Sequence, residues 1–447
     1  MNYEESVRAL LALGRELAAP QQARVQKFGL ENIRIVSAEL GNPHHAVPCV
    51  HIAGTNGKGS TAAMLESILR SSGLKTGLYT SPHLERINER IRINGEELPD
   101  ADFAAAWTRV QAAIESLMAS GKLGVHPTFF ECVTAMAFVA FQERRIGFAV
   151  YEVGLGGRLD STNIVEPEVA VLTPIDFDHE NFLGHSIEEI AGEKAGIIKA
   201  GAWVASSDQR GEAAKVITAR AVEMKARLVE SSTAWNTGKV APSGDGFYRA
   251  VIAPVSGGPE VELAPGLPGR FQIQNATTAA TAARLLAERG FPVTDASISA
   301  GIAAARWPGR LERLSERPAI YLDGAHNPAA ARELRRFCDE NFKGRRIVLV
   351  YGAMRDKAVD EIAGQLFPIA DRVILTQAHQ SRAISATLLA EMTADLTRDS
   401  VVVSDPREAL ERALAKASPE DVVIVTGSLY LVGDLRGYWR ARRPVRT

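Results

Sequence analysis

Short apolar runs alternate with longer amphipathic stretches along nearly the whole chain. The runs at 50–53, 76–80, 148–153, 169–173 and 203–206 are too short for helices and predict buried strands. Helical periodicity fills the intervals, most clearly over 61–70, 102–120 and 129–144. Strands separated by helices predict α/β architecture with largely parallel sheets. From about 236 to 270 the texture changes. Gly and Pro become frequent, and short β runs at 247–255 and 260–263 predict a small β subdomain. Helices are predicted at 275–289 and 298–305. Trp307-Pro308-Gly309-Arg310 then breaks the pattern, because Pro and Gly together end helices. A second α/β series follows, with strands predicted at 319–323, 346–351, 372–376, 400–404 and 421–426.

The first strand runs into Gly54-Thr55-Asn56-Gly57-Lys58-Gly59-Ser60 and then a helix. Three glycines allow a tight turn whose backbone N–H groups converge on a polyphosphate. Lys58 adds positive charge, Ser60 offers a hydroxyl for Mg²⁺, and the helix N-terminus favours an anion. The usual phosphate-loop spelling, G-x-x-x-x-G-K-[ST], would place glycine at 52 and a hydroxyl at 59. Ile52 and Gly59 stand there instead, and the hydroxyl comes one residue later. The expected fold is therefore α/β, with a P-loop NTPase-like N-terminal domain carrying the small β subdomain and a C-terminal Rossmann-like α/β domain. The expected boundaries are 1–305 and 306–447, with a hinge near 305–310 and a cleft that brings two substrates together.

Other polar clusters sit where strands end. Glu152 closes one strand before a glycine turn, Gly154-Leu155-Gly156-Gly157, and is a candidate oxygen ligand for Mg²⁺. Asp176-Phe177-Asp178-His179-Glu180 follows the next strand, and His179 could bind a metal or a phosphate. Ser81, before Pro82 and His83, could add another oxygen. Lys194 lies near a helix end. Its local pattern reads as a solvated lysine, whereas burial would make the amine reactive. In the second series, Asp323-Gly324-Ala325-His326-Asn327-Pro328 again clusters polar groups at a strand end. Arg310, in the hinge, could clamp a phosphate with its planar fork.

Bulk properties exclude several classes. The chain has 447 residues, room for two or three domains of ~100–200 residues each. A formal charge of -2 gives no electrostatic case for nucleic acid. The apolar run 132–141 is about half the ~20 residues of a membrane span and predicts a buried helix. The amphipathic start, with Glu4, Glu5 and Glu16, lacks the features of a signal peptide. Cys49, Cys132 and Cys338 are widely spaced and form no metal motif, so a reduced, cytoplasmic protein is expected.

These residues together resemble folylpolyglutamate synthase and the bifunctional dihydrofolate synthase, members of the Mur ligase superfamily. The matching stretches are HIAGTNGKGS (51–60), GLYTSPHL (77–84), INERI (87–91), YEVGLGGRLDSTN (151–163), FDHENFLG (177–184), EKAGIIK (193–199), WPGRLE (307–312), LDGAHNP (322–328) and VIVTGSLYLV (423–432). The resemblance implies an ATP-dependent ligase. ATP would convert a folate carboxylate to an acyl phosphate, and the amine of L-glutamate would displace phosphate to leave an amide. It implies that Thr55, Asn56, Gly57, Lys58, Gly59 and Ser60, with Asn275, Arg310 and Asp323, hold the nucleotide. It implies Ser81, Glu152, His179 and a carbamylated Lys194 around two Mg²⁺ ions, with Lys58, His179 and Lys194 as catalytic groups. The carbamate turns an ammonium into an anion and reverses the pattern-only reading of Lys194. Thr128, Phe130 and Asp160 would lie near the pterin, and His326 and Ser428 near L-glutamate. The family suggests a monomer, acting on small molecules away from membranes.

One departure stands out. Bifunctional members often carry an acidic segment before Gly-Leu-Glu that contacts dihydropteroate. Val25-Gln26-Lys27-Phe28 precede Gly29-Leu30-Glu31 here, so polyglutamylation is expected without that contact. Three rivals are a Mur ligase on another carboxylate, a P-loop kinase and a non-catalytic ATP-binding protein. Mur ligases acting on nucleotide-linked precursors usually carry a full domain before the P-loop, and about fifty residues precede it here.

Overall fold

The computed structural model describes residues 1–14, 29–396 and 399–442. Its first sheet has eight strands: β1 (Cys49–Ala53), β2 (Thr76–Tyr79), β3 (Ile91–Ile93), β4 (Glu96–Glu97), β5 (Phe148–Glu152), β6 (Val169–Leu172), β7 (Trp203–Ser206) and β8 (Arg227–Glu230). Their order is β4-β3-β2-β5-β1-β6-β7-β8. The run from β2 to β8 is parallel, and β3 and β4 extend it antiparallel. β1, β2, β5 and β6 are buried along their whole length. That explains their unbroken apolar spelling, since strands covered on both faces need no alternation. Each fully buried Val or Ile contributes about 1.5–3 kcal/mol.

A small sheet follows, formed by β9 (Trp235–Thr237), β10 (Ala241–Gly244), β11 (Phe247–Pro254) and β12 (Val261–Leu263), all antiparallel around β11. The last sheet comprises β13 (Glu312–Glu316), β14 (Ala319–Leu322), β15 (Ile347–Tyr351), β16 (Arg372–Leu375), β17 (Ser400–Val402) and β18 (Val422–Thr426). Its order is β13-β14-β18-β15-β16-β17, parallel except at β13.

The helix after β1 begins at Lys58 rather than 61 and runs to Ser71. Lys58, Gly59 and Ser60 are therefore its first turn, where unpaired N–H groups and the dipole are strongest. The helix predicted from 275 begins earlier, at Gln272, which places Asn275 in its first turn. No helix among the described residues is long and apolar enough to cross a membrane. All three cysteines are free and buried.

Candidate active site

In both larger sheets the polar clusters leave from carboxyl ends of parallel strands, where α/β folds bind ligands. In the first sheet, β1 lies between β5 and β6, so three strand ends adjoin. They deliver the loop 54–60, Glu152 and the segment 176–180 to one place. In the last sheet, the ends of β14, β18, β15 and β16 deliver residues 323–327, 428–430, 354–357 and 377–382. The two sets face each other across a cavity of about 530 Å³. Every residue for which the sequence suggested a role lines it: Thr55 to Ser60, Ser81, Thr128, Phe130, Glu152, Asp160, His179, Lys194, Asn275, Arg310, Asp323, His326 and Ser428.

The phosphate-loop turn is tied to the segment after β6 and to its own carbonyls. Thr55 and Asn56 N–H groups donate to Pro174 O at 2.9 and 3.2 Å. Thr55 Oγ1 donates to Asp176 O at 2.9 Å. Lys58 Nζ donates to Gly54 O at 3.0 Å and Thr55 O at 3.2 Å. Gly57 has φ +85°, and a Cβ there would meet Asn275 Oδ1 at 2.4 Å. The unusual Gly59 has an equally physical cause. A Cβ on it would lie 2.7 Å from the indole Nε1 of Trp307. Ser60 is buried and accepts a hydrogen bond from Gln272 Nε2 at 3.4 Å, and Gln272 Oε1 accepts one from Asn275 at 2.8 Å.

Beside the loop, Ser81 N–H donates to Glu152 Oε2 at 3.4 Å. Lys194 is 5% exposed and donates to Gly54 O at 2.9 Å. Burial, aided by the nearby Lys58 charge, lowers its pKa to about 7. Burial likewise lowers Lys58, against the opposing pull of Glu152 and Asp178. The solvated reading of Lys194 from its local pattern is thus overturned. Its helix, Ile187–Ala195, packs so closely under the glycine turn that a Cβ on Gly157 would meet Lys194 O at 3.0 Å.

Asp178 links the two halves. It is paired with Lys357 Nζ at 2.5 Å, with both side chains under one-tenth exposed. Asn327 Nδ2 donates to Asp178 Oδ2 at 3.2 Å and to Asn56 Oδ1 at 2.9 Å. His326 Nε2 lies 3.5 Å from Asp178 Oδ2. Burial alone would raise the Asp178 pKa, but the His326 hydrogen bond and the Lys357 charge hold it well below the usual carboxylate range. Burial and the Lys357 charge lower His179 to about 3, so its ring is neutral.

Among the described residues no three His, Cys, Asp or Glu side chains cluster around one point. The donor set nevertheless fits Mg²⁺ bound beside phosphates. Such an ion takes one or two protein carboxylates and completes its shell with phosphate and water oxygens. Glu152 and Ser81 supply oxygen. His179 Nδ1 and Asp356 Oδ2 are buried polar atoms without hydrogen-bond partners, and they stand 3.8 Å apart. Lys357 Nζ donates toward His179 Nε2 at 3.4 Å, which leaves the neutral ring's proton on Nδ1. Asp356 Oδ2 is therefore the open lone pair of the two, and His179 would ligate an ion through Nε2 only by displacing Lys357.

The remaining candidates have more local commitments. Asp160 Oδ2 accepts from Gly154 and Leu155 N–H groups at 3.0 and 2.9 Å, and Oδ1 from Thr162 N–H at 3.0 Å. Its carboxylate shapes the glycine turn. Burial raises its pKa, with these hydrogen bonds opposing. Thr128 is the N-cap of the helix Phe129–Glu143, in a reciprocal capping box with Glu131. Phe130 packs on Gly154, where a Cβ would meet its ring at 2.5 Å. Asp323 accepts from Leu311 and Ala325 N–H groups at 2.9 Å each. Burial raises its pKa, with Arg310 pulling against. Ser428 Oγ accepts from Tyr430 N–H at 3.1 Å. The segment Val25-Gln26-Lys27-Phe28 lies outside the described residues.

Sequence reasoning missed Lys357, Asp356, Arg332, Arg382, Tyr430 and Gln272, all but Gln272 lining the cavity. Residues 355–357 and 380–382 follow apolar strands, the same cue that exposed 176–180, but their polar groups are mixed with ordinary turn residues.

Comparison with known proteins agrees with this geometry. Residues 101–283 match the Mur ligase middle domain, and 309–429 match the Mur ligase glutamate ligase domain. The chain is 35% identical to the dihydrofolate synthase/folylpolyglutamate synthase of Bacillus subtilis, over 92% of this chain and 94% of that protein. It is 33% identical to the folylpolyglutamate synthase of Lacticaseibacillus casei, over 98% of both. Its structure superposes on Escherichia coli FolC, solved in complex with DHPP and ADP. The TM-score is 0.85 at 32% identity, with 99% of each chain covered. The chain belongs to the folylpolyglutamate synthase/dihydrofolate synthase family of ATP-dependent ligases.

Proposed function

We propose that this chain uses ATP to join L-glutamate to the carboxylate of a folate, with tetrahydrofolates and their polyglutamates as substrates. One observation carries the reading: a phosphate loop, a buried low-pKa lysine and a second polar set from the opposite sheet converge on one cavity. The loop amides, Lys58 and the first helical turn would hold the triphosphate, with Asn275 and, from the hinge side, Arg310 and Asp323 around the nucleotide. Bound Mg²⁺, held by Ser81, Glu152 and His179 and near a carbamylated Lys194, would neutralise charge on the transferring phosphate.

The chemistry balances as two displacements. A folate carboxylate oxygen attacks the γ-phosphorus and ADP leaves. The glutamate nitrogen then attacks the acyl carbon and phosphate leaves, while the amine gives up a proton. Neither step needs a protein nucleophile, so catalysis rests on positioning and charge. Thr128, Phe130 and the turn organised by Asp160 would line the pterin end, where a ring can stack on a flat substrate. His326 and Ser428 would line the glutamate end.

The division at 305/306 is part of this proposal, supported by the separate sheets on either side of the Trp307–Arg310 break. Action as a monomer is supported by the supply of both cavity halves from one chain. Dihydropteroate stays an open second substrate: the sequence at 25–28 lacks the acidic contact, whereas the Bacillus subtilis relative is a dihydrofolate synthase/folylpolyglutamate synthase. The test is phosphate release by purified protein with tetrahydrofolate and dihydropteroate offered in parallel. Release that requires both tetrahydrofolate and L-glutamate is expected. A stable phosphorylated product without phosphate release would point to a kinase, and release that ignores glutamate to an ATPase; either would sink the ligase reading.

A further inference from the structure

An amino-acid substrate carries its own charge into the cavity, and most cations there are already engaged. Lys58 and Lys194 donate to carbonyls of the phosphate loop. Lys357 is locked to Asp178 at 2.5 Å, and Arg332 sits on Asp176 at 3.1 Å. Arg382 differs. Its nearest carboxylate oxygen, Asp356 Oδ1, is 3.9 Å away, too far for a hydrogen bond. Its hydrogen bond goes from Nη2 to the neutral hydroxyl of Tyr430 at 3.3 Å, and its guanidinium lies 5.8 Å from the Tyr430 ring centroid. A guanidinium with five donors, partly shielded at 26% exposure, retains N–H groups for a carboxylate.

The loop that carries it is built to hold position. Met354 and Ala383 form an isolated antiparallel bridge between the loops after β15 and β16. Arg355 N–H donates to Arg382 O at 3.1 Å, and Ile384 N–H donates to Ala353 O at 3.0 Å. Tyr430 is fixed in turn, because its N–H donates to Ser428 Oγ at 3.1 Å. Pre-ordering a forked donor in this way reduces what binding must spend on freezing it.

We propose that Arg382, oriented by Tyr430, is the receptor for a carboxylate of the incoming amino acid. This extends the ligase reading and rests on it. The planar fork would take the carboxylate in a bidentate pair, leaving the amine turned toward the acyl carbon. Arg382 therefore selects a dicarboxylic amino acid over its mono-amides.

The experiment is steady-state phosphate release with tetrahydrofolate, varying L-glutamate, ATP and folate in turn, for wild type, Arg382→Ala and Arg382→Lys. Arg382→Ala should raise the KM for L-glutamate by roughly 10–100-fold, the loss of a charge-assisted hydrogen bond. The KM values for ATP and folate should stay at wild type. Arg382→Lys, which keeps charge without the fork, should fall between. Wild type should discriminate against L-glutamine or L-isoglutamine, and Arg382→Ala should lose that discrimination for one of them. If Arg382→Ala melts early, Arg382→Lys and the amide selectivity carry the test. An unchanged glutamate KM, or all three KM values rising together, would overturn the assignment. A wild type that turns over without glutamate would instead overturn the ligase reading beneath it.

Discussion

The two faces of the cavity are built in opposite ways. The phosphate-loop face is made from three adjoining strand ends, and its polar groups satisfy one another: Lys58 and Lys194 on Gly54 O, Thr55 on Asp176, Ser60 with Gln272. The opposite face is assembled from four loops whose side chains reach outward, Asn327 to Asn56 and Lys357 to Asp178. The first face is preorganised before substrate arrives. The second is ordered partly within itself, through the Met354–Ala383 bridge, and partly by contact with the first. Mutations should therefore damage chemistry on one side and domain docking or amino-acid selection on the other.

The largest expected effect tests that docking. Asp178→Ala would leave Lys357, 6% exposed, with only Asp356 Oδ2 at 3.8 Å and His179 Nε2 at 3.4 Å, at a cost of up to about 3–5 kcal/mol. Chemical denaturation should show it. A loss no greater than a surface substitution would mean the faces dock without this pair. Next comes Lys194→Ala, which should lower kcat by roughly 10²–10³-fold with melting preserved, as expected for loss of a preorganised charge. Wild-type turnover would remove Lys194 from the mechanism.

Its pH dependence follows from the shifted pKa. Only the neutral amine captures carbon dioxide, and with a pKa of about 7 roughly half of Lys194 is neutral at pH 7. Lowering the pH protonates the amine, so stimulation by added bicarbonate should weaken from pH 8 to pH 6. Stimulation that is flat across that range would contradict carbamylation. Gly59→Ala should cost about 1–3 kcal/mol through the Trp307 indole, and Trp307→Ala should relieve part of it. Additive effects in that double-mutant cycle would detach the odd glycine from the indole. The smallest effect is Thr128→Ala, about 1 kcal/mol for a lost N-cap, measured by thermal melting.

The preorganised face was the legible one. Its chemistry is spelled in contiguous motifs because a turn, a strand end and a helix start are neighbours along the chain. The apolar strands β1, β5, β6, β14, β15 and β18 were legible for the same local reason. The edge strands β4, β8 and β13 were not, nor were the short β3, β9 and β10, because such strands are marked by pairing rather than by apolar runs. Lys357, Arg382 and Tyr430 were also missed. They meet only because β18 inserts between β14 and β15, an order that sequence position does not reveal. The burial of Lys194 was invisible locally, since what covers it is the glycine turn some forty residues earlier.

The central claim is that the preorganised face activates a carboxylate by phosphorylation before the opposite face delivers the amine. The most direct measurement uses tetrahydrofolate labelled with ¹⁸O in its terminal carboxylate, incubated with ATP and L-glutamate. An acyl phosphate predicts that each turnover moves one labelled oxygen into the released inorganic phosphate. Released phosphate free of label, with product still formed, would contradict it.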